Sequence, residues 1–134
     1  MFYDFAITIP ADTLEAAPVT QVLKLTYGVI HEIDVLYPPG PHAMVKLRIK
    51  TNGHQLIPTN PDGYLASDDE VVRIPEYYQL FEAPYSLKAI AYSPGTTYPH
   101  TLAIRIGVLL PDVLNPPTKW QMIIQKIGAL FGIR

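Results

Sequence analysis

The chain has no cysteine. That excludes disulfides, thiolate metal sites and cysteine nucleophiles together, and it leaves stability to the core alone. Charge is scarce too: Asp, Glu, Lys and Arg make up 16% of the residues, against about 25% in an ordinary domain. A surface this poor in charge suits a molecule that covers part of itself with a partner. No basic excess exists, the formal net charge being −2. This argues against a nucleic-acid partner, which requires cations to displace the counterions around phosphates. No run approaches the ~20 apolar residues of a membrane-spanning helix, so no membrane span is expected. The opening "MFYDFAITIPADTLEAAP" lacks the basic start and long apolar core of a secretory signal peptide. These absences lead us to expect a soluble protein made in the cytoplasm.

What is present points to strands. The 134 residues, 49% of them hydrophobic, fall within the usual size of one domain and can bury a sizeable core. Fourteen prolines and eight glycines all but exclude long helices through residue 112. Between these breaks lie short runs rich in β-branched and aromatic residues. Phe5–Ile9 alternates and stops at Pro10. Val19–Tyr37 is long enough for one bent strand or two meeting near Gly28. Ala43–Lys50 has the clearest period of two, with Val45, Leu47 and Ile49 facing one way and Lys46, Arg48 and Lys50 the other. His100–Leu110 repeats the pattern through Leu102, Ile104, Ile106 and Val108. "YLAS" and "EVVRI" read as further short strands. Seven to nine strands with Pro/Gly turns predict an all-β antiparallel β-sandwich or small barrel.

Residues 113–134 differ in kind. "PDVLNPP" reads as a linker whose prolines block both helix and strand. After it, Trp120, Ile123, Ile124, Ile127, Leu130 and Phe131 fall on one stripe of an amphipathic helix. Gly128 weakens that helix by about 1 kcal/mol relative to Ala. A helix this short is marginal alone in water, so it needs a host. The division is therefore a β-sandwich body over 1–112 and a linker with a C-terminal helix over 113–134. Charge divides likewise: seven basic against twelve acidic side chains leave the body at −5, while the tail holds three basic residues and no acidic one.

The most polar stretch, Thr51–Ile74, poses a question of chemistry. Asn60, Asp62, Asp68, Asp69 and Glu70 could supply the hard oxygen ligands of a calcium site. Their spacing does not match a twelve-residue EF-hand loop, and adjacent carboxylates in a strand point to opposite faces. A solvated loop guarding a strand start is the preferred reading. His31, His42, His54 and His100 form no metal-binding pair in sequence, and Ser67, Ser86 and Ser93 lack a nucleophile-elbow context. No cofactor and no catalytic residue are called. Nine tyrosines favour contact surfaces; Tyr77 and Tyr78, in the loop-like "PEYYQLFEAP", are the best partner-binding pair. A carbohydrate- or receptor-binding module, calcium-assisted in one version, is the competing class.

The order of turns from "YPPGPH" through "GHQLIPTNPDGYLASDDEVVRIPEYYQL" to "AYSPGTTYPHTLAIRIGVLL" resembles small jelly-roll virion proteins of tailed bacteriophages, including capsid decoration or cement proteins. The likeness covers about residues 5–110. It implies a non-enzymatic structural protein of a virion that forms a homo-oligomer, with a trimer favoured. It also implies a terminal arm gripping a larger assembly such as a capsid shell. On that view the Trp120–Phe131 helix is the arm.

Overall fold

The structure is a computed structural model that describes residues 1–114. The tail stripe of Trp120, Ile123, Ile124, Ile127, Leu130 and Phe131 lies outside the described residues. Among the described residues eight strands form: β1 (Phe2–Ile9), β2 (Val19–Lys24), β3 (Gly28–Tyr37), β4 (Lys46–Thr51), β5 (His54–Ile57), β6 (Glu70–Leu80), β7 (Ser86–Tyr92) and β8 (His100–Leu109). The Val19–Tyr37 run is two strands, and Gly28 begins the second.

The strands make two antiparallel four-stranded sheets, in the orders β1-β8-β3-β6 and β2-β7-β4-β5. The pairs β1·β8, β2·β7, β3·β6 and β4·β5 are the rungs of one long hairpin. Rolling that hairpin brings β3 beside β8 and β4 beside β7. This is the jelly-roll arrangement. Between the sheets, alternate residues interdigitate: Ile7 and Ile9, Ile33 and Val35, Leu47 and Ile49, Leu102 through Val108, all essentially inaccessible to water. Each such side chain contributes on the order of 1.5–3 kcal/mol over its exposed state.

Three local expectations need correction. "PEYYQL" is no loop: β6 continues to Leu80, straight through Pro75. It does so because β6 is an edge strand, where the missing N–H of proline leaves no ladder bond unmade. "YLAS" is no strand; Leu65 alone bridges to Leu47. And the prolines after β8 do not bar helix, since Pro111–Leu114 form a single helical turn. Pro111 stands first in it, the position where a proline's fixed φ suits helix entry.

Candidate functional site

A rolled hairpin sends the four connections after odd-numbered strands to one end of the sandwich. These loops (10–18, 38–45, 58–69 and 93–99) are sewn together by side chains. Asp12 accepts from the Gly95 amide at 2.8 Å while its own amide donates to Thr96 Oγ1 at 2.9 Å. Ser93 Oγ donates to Pro10 O at 3.1 Å. Asp68 Oδ1 accepts from the Gly40 and His42 amides at 2.9 and 3.0 Å. Asp12, His42, Ala43, Asp62 and Asp69 all take positive φ here, a backbone cost that the bonds between loops offset. A cleft of about 450 Å³ opens between the 38–45 and 93–99 loops, lined by Pro41, His42, Met44, Thr96, Tyr98 and His100. Tyr98 stands 71% exposed at its side.

The residues singled out from sequence separate on this frame. Asp68 is a loop cap. The His42 amide does most to hold its carboxyl below the ordinary range; desolvation opposes this, and the Gly40 amide with the His42 and His100 rings adds to the lowering. Glu70 accepts from Ser67 Oγ. Asn60 and Asp62 sit in the turn closed by the Gly63 amide on Asn60 O at 3.1 Å. The carbonyls of that turn are already engaged: Arg48 donates to Gly63 O and Asp62 O at 2.8 and 3.0 Å. Gln55 Nε2 donates to Pro58 O, Asn60 O and Gly63 O. A guanidinium beside those oxygens opposes a divalent cation there. Among the described residues, no three His, Asp or Glu side chains converge as a metal-ligand group. The stretch is a folded lip, held from below by Arg48 and Gln55, two anchors that only the paired strands bring beneath it.

Tyr77 and Tyr78 part company as strand neighbours must. Tyr77 faces outward, 53% exposed, whereas Tyr78 packs against the core with its ring 6.0 Å from that of His54. His31 occupies the bulge in β3, where the register shifts between Ile30 and Glu32. Its ring lies over Gly107, since a Cβ there would come within 2.5 Å of His31 Nε2.

The outer faces differ sharply in charge. On the β1-β8-β3-β6 sheet, one row reads Asp4, Arg105, Asp34, Arg73 across the four strands. Its signs alternate, and Arg105 Nε lies 3.8 Å from Asp4. The outer face of the β2-β7-β4-β5 sheet carries Lys24, Lys46, Arg48, Lys50 and Lys88, five of the seven cations before residue 113. Near the lip, Lys46 stands 4.4 Å from the Tyr64 ring, and Arg48 contacts Glu15 at 3.7 Å. Arg48 also lies over the Tyr92 ring at 5.7 Å. Burial raises the Tyr92 phenol pKa, with Arg48 opposing. At the far end Lys50 and Lys88 are direct cross-strand partners. They flank a groove of about 310 Å³ with Val22, Asn52, Pro84 and Ser86. Like charges directly opposed destabilise a sheet, yet no ion pair reaches Lys24, Lys50 or Lys88 among the described residues. The tail adds no acidic side chain that could. No family model, curated protein or solved structure matches the chain.

Proposed function

We propose that this chain is a non-enzymatic structural protein of a virion, of the capsid decoration or cement type. It forms a homo-oligomer, with a trimer favoured, through its β-sandwich and attaches to a larger shell. The observation that carries the assembly part is the Lys50–Lys88 pair, opposed across the sheet and with no ion-pair partner among the described residues. Such a pair is tolerable where an outside anion neutralises it. The single rolled hairpin and the resemblance of the turn order to phage jelly rolls support the virion part. The loop-end carboxylates and hydroxyls, engaged in holding loops together, support a structural role over a catalytic one. The amphipathic tail is read as the arm onto the shell.

Light scattering on the pure protein tests this. A mass about three times the 15.0 kDa of the chain is expected, and a monomer at every concentration up to about 100 μM would overturn the reading. The 71%-exposed Tyr98 beside the 450 Å³ cleft favours a second reading, a carbohydrate- or receptor-binding module. Retention on immobilised glycans that Tyr98→Ala abolishes would support it, and no retention on any glycan would remove it.

A further inference from the structure

The unpaired lysines raise the question of what answers them. Outside the basic face, residues 1–112 hold Arg73 and Arg105 against all twelve acidic side chains. The body is thus split into a cationic face and an anionic remainder. The densest part of that remainder is the lip, where Asp62, Asp68, Asp69 and Glu70 are all exposed. The lip belongs to the end reached by odd-numbered strands. Lys50 and Lys88 lie at the opposite end of β4 and β7, beyond Lys46 and Tyr92 in register. Four residues of strand, roughly 13 Å, separate Lys46 from Lys50, so a chain's own lip does not neutralise its far lysines.

We infer that the groove between Lys50 and Lys88 is a docking site for the acidic lip, centred on Asp69 and Glu70, of a second copy of this chain. The inference rests on the assembly reading above and names its contact. The two patches are different surfaces, so the contact is head-to-tail, of the kind that closes into rings when its rotation allows. Asp68 caps its loop and keeps the lip in shape; Asp69, with no ion-pair partner among the described residues, is free to meet a lysine. The groove supplies Ser86 and Asn52 as hydrogen-bonding neighbours and Val22 as an apolar wall.

Charge exchange tests the pairing by sedimentation equilibrium on the full chain in low salt. Lys50→Glu with Lys88→Glu should turn the oligomer into monomer, as should Asp69→Lys with Glu70→Lys. Joining all four changes in one chain should restore association to within about threefold of the parent, since the signs are merely exchanged. Mixing the two double variants should restore association in alternating complexes, because each variant's lip then meets a groove of opposite sign on the other. The milder Lys50→Gln with Lys88→Gln guards against misfolding. It should keep or raise the melting temperature by relieving repulsion while association still weakens at least tenfold. Double variants that keep the parental mass, or a fourfold variant that stays monomeric, would overturn the lip-to-groove contact and leave the assembly reading standing. A parent chain that is monomeric throughout would overturn both.

Discussion

Two side chains have ionisations that folding shifts, Asp68 downward and Tyr37 upward. Asp68, capping the Gly40 and His42 amides, has its carboxyl held below the ordinary range. Its contribution is present above the unfolded value, about 3.9, and is lost as pH falls through the folded one. Tyr37 is 1% exposed and donates to Leu65 O at 2.9 Å. Burial pushes its phenol well above the ordinary value of about 10. A folded state that keeps this proton is favoured below pH 10 and loses ground as pH rises beyond it. Urea unfolding across pH should therefore show a plateau with a fall at each side. Tyr37→Phe should blunt the alkaline fall and Asp68→Asn the acid one. An alkaline limb unmoved by Tyr37→Phe would place its origin elsewhere.

Among the elements, β6 is the longest strand, and the tail is the segment least like the rest in sequence. An edge strand of eleven residues offers unpaired backbone to other chains. Pro75 in its middle and Glu70 and Glu76 along it make an added strand unfavourable. In the proposed assembly, copies therefore meet through side chains on faces and loops. The tail is tested by cutting the chain after residue 112. The packed core runs from Ile7 to Val108, so the cut chain should unfold cooperatively, its stability within about 0.5 kcal/mol of the full chain, as for surface changes. A loss of several kcal/mol in chemical denaturation would instead place the stripe of Trp120 and Phe131 on the body itself.

For the whole molecule, a net charge of −2 conceals a polar body, cationic on one sheet and anionic at one end. Such a molecule orients its neighbours before contact, and the effect has a range. The Debye length is about 30 Å at 0.01 M salt and about 8 Å at 0.15 M. The mass measured by light scattering should accordingly be largest at low ionic strength and fall as salt rises. An oligomer held by apolar burial would keep its mass under that change.

Sequence alone determined the class of fold. Alternation in Val45–Lys50 and Leu102–Val108 is a property of neighbours along the chain, because a strand turns successive side chains to opposite faces. Breaks at Pro10, Gly28 and Asn52-Gly53 are local for the same reason, since each acts through its own φ or its missing donor. Tertiary structure decided whatever depends on register between distant strands. Lys88 meets Lys50 because β7 lies beside β4, and Arg48 reaches under Gly63 because the 58–69 loop folds back over β4. Pro75 read as a break because its neighbours in sequence cannot say that β6 is an edge. The acids of Asn60–Glu70 looked like one cluster in the chain; in space they are a cap, a turn and a strand start, since the partners that fix their roles come from strands far along the sequence.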